Sequence, residues 1–242
     1  MQARLTQLNY QEILMYLGHR GQECPMELEQ QIHRCMEEVT KAAEPRLVYR
    51  FLPVREGQIQ GFPLEGKDVQ ELLADCQQAV LMAVTLGPRV EQLLMRREVT
   101  NMADAVIMDA CASTAVENVS DHFEFDLRKQ LEQEGKYLTD RFSPGYGDLP
   151  LHMQARFCDA LNTGRRIGLT VTPNDIMIPR KSVTAILGIS DRPQKLRKRG
   201  CEVCSMFMTC PYRKEGGSCH EYSDFIGWCY GYHAAGSRTG IG

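Results

Sequence analysis

Residues 101–134 read NMADAVIMDACASTAVENVSDHFEFDLRKQLEQE, and the fold prediction starts from this stretch. Apolar side chains recur through it at intervals of three and four residues, which predicts one helix over the whole range. Its first half is rich in alanine and other small residues, so we expect a neighbouring element to pack closely there. Asp109 falls on the apolar stripe, where a carboxylate either bonds another structural element or binds a ligand. The stripe comprises Met102, Ala105, Asp109, Ala112, Val116, Val119, Phe123, Leu127 and Leu131.

Shorter helical and extended segments flank this helix. Because the two kinds of element do not alternate regularly, we expect an α+β fold, with mixed helices around a twisted antiparallel sheet, over residues 1–190. A basic linker at 192–200 then leads into a small Cys-rich C-terminal module within 191–242. The other predicted helices are 10–17, 26–43, 68–76, 89–97 and one within 147–161, and the predicted strands are 46–54, 79–86, 167–172 and 182–189.

The composition narrows the classes of function. With 242 residues, of which 43% are hydrophobic and 24% charged, the chain can bury a substantial core. Its net charge of -3 argues against a general nucleic-acid binder, which needs a positive surface to neutralise phosphates. The longest apolar run, 79–86, is too short for a membrane span, and no secretory signal opens the sequence. We therefore expect a cytoplasmic protein that binds neither nucleic acid nor membrane.

Several common catalytic motifs are missing from the sequence. It contains no G-x-G-x-x-G dinucleotide turn, no P-loop, no G-x-S-x-G elbow and no H-E-x-x-H helix. Functional predictions therefore depend on the loop after the long helix and on the C-terminal cysteines.

The loop at 141–150, RFSPGYGDLP, is the most informative part of the body of the chain. Two prolines and two glycines favour a rigid, irregular loop, and Gly145 can adopt backbone angles that leave its amide and carbonyl open to a ligand. Arg141 offers a planar fork suited to a carboxylate, and Tyr146 offers a flat face for a base or a sulfonium. Residue chemistry alone leaves two interpretations, a structural turn and a cradle for a small molecule.

This loop resembles the S-adenosylmethionine (AdoMet)-binding segment of the activation domain of cobalamin-dependent methionine synthase, in which Arg-x-x-x-Gly-Tyr lies in a proline-rich loop. The resemblance covers most of residues 70–190, including Asp109, Glu117 and the stretches 167–170 and 182–185. The chain is similar to the stand-alone form of that domain found in anaerobic bacteria. AdoMet binding is thereby expected, as part of a methyltransferase system in methionine biosynthesis.

The resemblance also implies roles for individual residues. Arg141 corresponds to the arginine that binds the ligand carboxylate, and Ser143 to a residue that makes a backbone contact. Gly145 and Tyr146 correspond to the residues of close approach and of stacking or hydroxyl contact.

At two places the sequence departs from the family pattern. The family acid six residues before the motif arginine is replaced by Gly135, and the adjacent Glu134 is the candidate substitute. The tyrosine that follows the last strand of the family has no aromatic counterpart, because the chain passes through Leu196 into the basic linker.

In the family, inactive cob(II)alamin is reduced by one electron and methylated at once by AdoMet. An activated methyl donor and a nucleophilic cobalt need alignment more than a general base. The sequence lacks the Asp-x-His-x-x-Gly pattern of cobalamin-binding modules. The resemblance therefore implies that cobalamin is carried by a partner, a cobalamin-binding methionine synthase or a related corrinoid protein, with flavodoxin or ferredoxin as the candidate electron donor.

Four cysteines lie close together near the C-terminus. Soft thiolates in the pattern Cys-x2-Cys-x5-Cys-x8-Cys favour a 4Fe-4S cluster, with structural zinc and unmetallated thiols as the alternatives. A cluster in this module would supply the electron that reactivation consumes. The candidate ligands are Cys201, Cys204, Cys210 and Cys219.

Two further functions remain open from the sequence. The first is a non-catalytic module that docks a corrinoid protein and retains the ligand loop only as structure. The second is an iron-sulfur electron-transfer protein that serves other corrinoid methyltransferases. Ligand binding separates reactivation from the docking module, and the identity of the partner separates it from electron transfer.

Overall fold

A computed structural model describes residues 1–19 and 24–194 of the chain. The helices are α1 (Tyr10–Tyr16), α2 (Met26–Ala42), α3 (Lys67–Leu73), α4 (Pro88–Thr100), α5 (Met102–Gln133), α6 (Met153–Leu161) and α7 (Thr163–Ile167). The strands are β1 (Arg46–Arg55), β2 (Gln58–Ile59), β3 (Gln78–Thr85), β4 (Tyr137–Leu138), β5 (Thr170–Val171), β6 (Met177–Ile178) and β7 (Ser182–Ser190).

Five strands form an antiparallel sheet in the order β2-β1-β3-β7-β4. The central strand β3 pairs along its whole length with β7, from Gln78 opposite Ile189 to Thr85 opposite Ser182. Successive β3 side chains point to opposite faces and are buried from Ala79 to Thr85, so Met82 belongs to one core and Leu81 to the other. The sheet therefore separates two hydrophobic cores.

The long helix α5 dominates the first core, which it shares with α1, α2 and α4. The side chain of Asn101 begins α5 by accepting a hydrogen bond from the amide of Asp104 at 3.2 Å. Buried small residues, such as Ala110, Cys111 and Ala115, let α2 and α4 approach α5 closely. The prediction of a closely packed neighbour along this half of the helix is confirmed.

Helices α3, α6 and α7 cover the opposite face of the sheet. Phe157, Met153 and Leu149 are almost fully buried in this second core. The loop that contains Arg141 follows β4 at the edge of the sheet and leads into α6, and its buried residues Phe142 and Leu149 belong to the second core.

The predicted α+β class, with helices packed on an antiparallel sheet, is confirmed. The strand predicted at 167–172 is wrong for its first part, since Ile167 ends α7 and only Thr170 and Val171 are extended. Gly168 terminates α7 with a φ of 72° in the left-handed region, a conformation that costs little only for glycine. The β-branched run that follows explains why the segment looked like one strand.

Four scattered cysteines, Cys35, Cys76, Cys111 and Cys158, are buried as free thiols in the described part of the chain. Burial raises the pKa of Cys35 and Cys76 to about 11 and that of Cys111 to about 12, so these thiols are poor nucleophiles at neutral pH. Their burial indicates a structural role, as small apolar side chains of the two cores.

The predicted Cys-rich module lies outside the described residues, and its metal ligands Cys201, Cys204, Cys210 and Cys219 remain a prediction. Within residues 1–19 and 24–194, no group of three or more potential metal ligands is present. No helix in the same ranges has the length and apolar character needed to cross a bilayer.

Candidate functional site

Arg141 is held in place by the strand beside it. The backbone of Phe142 exchanges two hydrogen bonds with that of Ile186 in β7, of 2.9 and 2.8 Å, and the amide of Thr139 donates to the carbonyl of Gly188 at 2.9 Å. Phe142 is 2% exposed and packs into the second core. Because adjacent side chains of an extended segment point to opposite faces, Arg141 is directed towards α5.

Three carboxylates of α5 surround the guanidinium of Arg141. Nη2 donates to Oε2 of Glu117 at 3.1 Å and to Oδ1 of Asp121, and Nε lies 3.3 Å from Oε2 of Glu124. Positions 117, 121 and 124 share one face of the helix, since they are four and three residues apart. Oε1 of Glu124 also accepts a hydrogen bond from Arg128 at 2.9 Å.

One nitrogen of the Arg141 guanidinium differs from the other two in its hydrogen bonding. Within the described residues, Nη1 is buried and has no hydrogen-bond partner. Burial alone would lower the pKa of Arg141, but Asp121, Glu117 and Glu124 raise it, so the guanidinium stays charged. A buried charged donor without a partner is costly, so an additional acceptor at this nitrogen would stabilise the protein.

The first helix adds a fourth carboxylate, that of Glu12, to the three of α5. We call Arg141 and these four acids the Arg141 cluster. Glu12 lies in the first turn of α1, whose N-terminus is capped by the side chain of Asn9. Burial, followed by the charges of Asp121 and Glu117, raises the pKa of Glu12 to about 7. Burial also raises the pKa of Asp121 to about 6, although the charge of Arg141 opposes the rise. Two of the four acids therefore titrate near neutral pH.

Two tyrosines lie beside this cluster and remain accessible to solvent. Tyr16 in α1 is 47% exposed, and Tyr146 in the loop is 69% exposed. Burial raises the pKa of Tyr16 to about 12, with contributions from Glu117, Glu12 and Tyr146. Tyr16 follows Glu12 by one turn of α1, so the two side chains share one face of that helix.

The loop from Ser143 to Leu149 is closed by its own hydrogen bonds. The amide of Tyr146 donates to the carbonyl of Ser143 at 3.1 Å, and the amide of Gly145 donates to the carbonyl of Leu149 at 2.9 Å. The expectation that the Gly145 amide is open to a ligand is therefore wrong, because the turn already uses it. Gly145 does need its conformational freedom, since its φ is 91°.

The side chain of Asp148 anchors the loop to α3, which lies on the other face of the sheet from α5. The carboxylate of Asp148 accepts hydrogen bonds from the backbone amides of Lys67 at 2.7 Å and Asp68 at 3.1 Å, at the start of α3. These bonds satisfy amide groups that have no partner within the helix. The loop is thereby fixed at both ends, by β7 and by α3.

Asp109 lies elsewhere on the same helix. Its side chain is 56% exposed, and Oδ1 lies 2.8 Å from Nζ of Lys181, which also donates to Oγ of Ser113 at 2.9 Å. The placement of Asp109 on a buried stripe is wrong, because α5 turns this position towards β7 and solvent. The other interpretation of Asp109, a bond from its carboxylate to another part of the fold, agrees with the ion pair to Lys181.

A groove of about 300 Å³ begins at Asp109. It lies beside the first turns of α5 and reaches Tyr16 of α1. Its lining residues are Tyr16, Glu98, Met102, Ala105, Val106, Asp109, Ala110 and Ser113.

Glu134 is not brought to the cluster. It is exposed at the end of α5, where its carboxylate lies 3.2 Å from Nζ of Lys136. It follows Glu124 by ten residues, which corresponds to about 15 Å along a helix. The acids that do meet Arg141 are those of α5 itself.

Sequence reasoning missed four members of this site, namely Glu12, Tyr16, Asp121 and Glu124. The spacing of 117, 121 and 124 on one predicted helix was the available signal for the α5 acids. Glu12 and Tyr16 gave no comparable signal, because only the packing of α1 against α5 brings them to the loop.

Comparison with known proteins gives one informative result. No family model matches the chain, and no curated protein matches it. Among solved structures, the crystal structure of the MetH reactivation domain bound to AdoHcy is similar, with a TM-score of 0.59 and 16% sequence identity. The similarity covers 93% of this chain and 86% of that domain.

The chain has the fold of the MetH reactivation domain. The resemblance predicted from the loop motif and its surroundings is thereby confirmed at the level of the fold. At 16% identity, the likeness does not by itself assign the ligand or the role of any residue.

Proposed function

We propose that this chain binds AdoMet at the Arg141 cluster. The methyl group of AdoMet is then transferred to cobalamin held by a partner methionine synthase or a related corrinoid protein. The observation that carries the proposal is a buried guanidinium nitrogen without a partner, set among carboxylates at the loop with the AdoMet-binding pattern. The fold of a domain whose crystal structure contains AdoHcy supports it.

The charge of the cluster fits the charge of the ligand. Glu117, Asp121 and Glu124 surround Arg141, Glu12 lies in the field of Asp121 and Glu117, and Arg128 shares the carboxylate of Glu124. The carboxylates exceed the guanidiniums, so the site favours a net cation. AdoMet carries an ammonium, a sulfonium and one carboxylate, whereas AdoHcy has lost the sulfonium charge. An acidic site therefore holds the methyl donor more tightly than the product.

The residue roles follow from the same geometry. Nη1 of Arg141 donates a hydrogen bond to the ligand carboxylate, and the carboxylates of Glu12 and Glu117 bind the ligand ammonium. Tyr146 offers a ring face to the sulfonium or the base, while Ser143 and Gly145 shape the turn that presents it. In this proposal, Glu12 of α1 and Glu117 of α5 take the role of the family acid, and Glu134 does not.

In the proposed reaction, the protein aligns two reactive partners. The partner's cobalamin, reduced by one electron, supplies the nucleophile for the methyl group. The bond between sulfur and the methyl carbon breaks, and its electron pair stays on sulfur to give neutral AdoHcy. This chain holds the amino-acid end of the donor and leaves the methyl face open, so alignment is its main contribution.

The first test is a calorimetric titration with AdoMet. We expect binding by the wild-type chain, at least a tenfold loss in Arg141→Ala (about 1.4 kcal/mol or more) and little change in Arg4→Ala. Arg4 is a matched control because it pairs with Asp126 of the same helix at 2.8 Å, outside the cluster. If Arg141→Ala does not fold, Tyr146→Ala replaces it, since that side chain is mostly exposed. Absence of wild-type binding at millimolar AdoMet would contradict the proposal.

The electron for the reaction is a separate part of the proposal. The four clustered cysteines, with their soft-ligand chemistry, fit a 4Fe-4S cluster that takes an electron from flavodoxin or ferredoxin. We expect Cys201→Ser with Cys204→Ser to abolish reductive methylation of cobalamin but to leave AdoMet binding intact. Loss of AdoMet binding in this variant would indicate a structural metal instead, and zinc analysis would identify it.

A further inference from the structure

Strand β1 has an outer edge that the described part of the chain leaves largely unpaired. Its inner edge pairs with β3 over residues 46–53. On the outer side, the described strand β2 lies opposite only Val54 and Arg55. Within residues 1–19 and 24–194, no backbone hydrogen bond reaches the outer edge between residues 46 and 52. This open edge spans about 20 Å of extended chain and is a template for another strand.

The alternation of hydrogen bonds in β1 shows which backbone groups point outwards. The amides of Glu44 and Val54 donate to carbonyls on the β3 side, at 2.8 and 2.9 Å, so even-numbered residues bond inwards. On the outer side, the carbonyl of Pro53 accepts a hydrogen bond from the amide of Gln60 at 2.9 Å. The residues of the open edge with outward amides and carbonyls are therefore Leu47, Tyr49 and Phe51.

The two faces of the sheet at this edge differ in chemistry. On one face, Tyr49 packs against Phe123 of α5 with ring centroids 5.0 Å apart. Phe51 meets Tyr49 edge-on and is 44% exposed, so this face is aromatic at its rim. Arg50 projects from the opposite face, where α6 and α7 pack, and its guanidinium lies 3.4 Å from the carbonyl of Ala160.

The face with α7 is basic. Helix α7 packs against β1 and carries the exposed Arg165 and Arg166, and neither α7 nor β1 contains an acidic residue. The carboxylate of Glu44, just before β1, is already shared by Arg46 and Arg89 at 3.3 and 3.1 Å. Like charges placed opposite one another destabilise strand pairing. The edge therefore disfavours a second copy of itself and favours an acidic strand.

We infer that the open edge of β1 docks an extended acidic segment of a partner protein. This surface goes beyond the proposed function, because none of its residues belongs to the Arg141 cluster. The segment adds as a strand and bonds to the outward backbone groups of β1. Its alternate side chains are acidic towards Arg50 and α7, and apolar or aromatic towards Tyr49 and Phe51. The backbone bonds supply affinity, and the charges select the partner.

A synthetic peptide tests the pairing directly. The probe is a short acetylated and amidated peptide in which Glu alternates with Val and Tyr, titrated into the full chain at low ionic strength. We expect the bound peptide to slow hydrogen exchange at the amides of Leu47, Tyr49 and Phe51 by about tenfold or more, measured by NMR. The amides of Val48 and Arg50 should not change, because they already bond to β3.

Charge reversal on α7 tests the preference for an acidic partner. We expect Arg165→Glu with Arg166→Glu to weaken binding of the Glu peptide by about three- to tenfold, and to strengthen binding of the same peptide with Lys in place of Glu. The control pair, Arg34→Glu with Arg96→Glu, makes the same change in charge at exposed positions of α2 and α4, and both affinities should stay within about twofold of wild type.

Circular dichroism checks that these variants fold. If the α7 pair does not fold, the wild-type chain replaces it, since its affinity for the Glu peptide should fall as the ionic strength rises from about 50 to 300 mM. An affinity for the Glu peptide that is unaffected by both charge reversal and salt would overturn the choice of an acidic partner.

Two other results would overturn the inference. The first is that the Glu peptide does not bind at millimolar concentration, or binds without slowing exchange at Leu47, Tyr49 and Phe51. The second is that the same amides become protected without peptide as the protein concentration rises, together with a dimer in analytical ultracentrifugation. That result would assign the edge to a second copy of this chain. None of these measurements involves AdoMet, so their failure leaves the proposed function standing.

Discussion

Arg141 links the stability of the protein to its proposed ligand site. Its side chain is 19% exposed and forms ion pairs with three carboxylates of α5. We expect Arg141→Ala to lower the free energy of unfolding by about 2–4 kcal/mol at pH 8, because it leaves those carboxylates partly buried and uncompensated. Chemical denaturation measures the change. The loss should be smaller at pH 5, where Glu12 and Asp121 are protonated, and an equal loss at both pH values would contradict this explanation.

Glu12 should make AdoMet binding depend on pH. Its pKa of about 7, raised mainly by burial, means that the carboxylate is largely neutral at pH 6 and charged at pH 8. Since only the charged form attracts an ammonium, we expect the affinity for AdoMet to rise between pH 6 and 8, and Glu12→Gln to flatten that rise. Calorimetry at several pH values provides the measurement, with Glu27→Gln as a control in the first turn of α2. A wild-type affinity that is constant over this range would refute the assignment.

Ionisation of Glu12, which should strengthen AdoMet binding as the pH rises, should lower the stability of the folded protein. Folded Glu12 retains its proton up to about pH 7, whereas the unfolded residue ionises near 4.5, so the folded state binds more protons in between. The contribution of this residue to the free energy of unfolding therefore falls as the pH rises from 4.5 to 7. Because the side chain is partly exposed, we expect Glu12→Gln to recover only about 1 kcal/mol at pH 8 and nothing at pH 4. Denaturation curves at the two pH values test the sign.

Among the elements, the 141–150 loop depends on Gly147 for its shape. Gly147 has a φ of 52°, and a Cβ there would overlap the Asp68 carboxylate and approach the Phe142 ring to 3.2 Å. Gly61 also has a positive φ, of 74°, but a Cβ there would meet no atom within 4 Å. We expect Gly147→Ala to destabilise the fold by about 1–3 kcal/mol more than Gly61→Ala, and to weaken AdoMet binding as well. Equal thermal shifts in the two variants would show that the loop adapts without cost.

The elements also show which parts of the fold can be predicted from the sequence. Helix α5 and strand β3 were predicted within one residue at each end, because long periodic or continuous apolar runs leave few alternatives. The two-residue strands β2 and β4 were missed, since they exist only through pairing with β1 and β7. Local patterns carry no information about such partners.

The residues of the candidate site divide in the same way, into those that a local motif predicts and those that only tertiary packing brings together. Arg141 and Tyr146 were predicted because they belong to a short motif in one loop. Glu12 and Tyr16 could not be, since they lie more than a hundred residues earlier and reach the loop only when α1 packs against α5. The site is therefore a property of the tertiary fold, assembled from α1, α5 and the loop beside β7.

At the scale of the whole molecule, this assembly makes the docking of α1 a condition for binding. Ile13 is fully buried in the first core and fixes α1 there, while Ile167 is 4% exposed in the second core, beyond the sheet. We expect Ile13→Ala and Ile167→Ala each to lower the free energy of unfolding by about 2–5 kcal/mol, because both remove buried methyl groups. Only Ile13→Ala should also weaken AdoMet binding under conditions in which both variants are folded, since only that cavity loosens Glu12 and Tyr16. Paired denaturation and calorimetry measure the two effects, and equal losses of affinity would mean that binding follows global stability and not the position of α1.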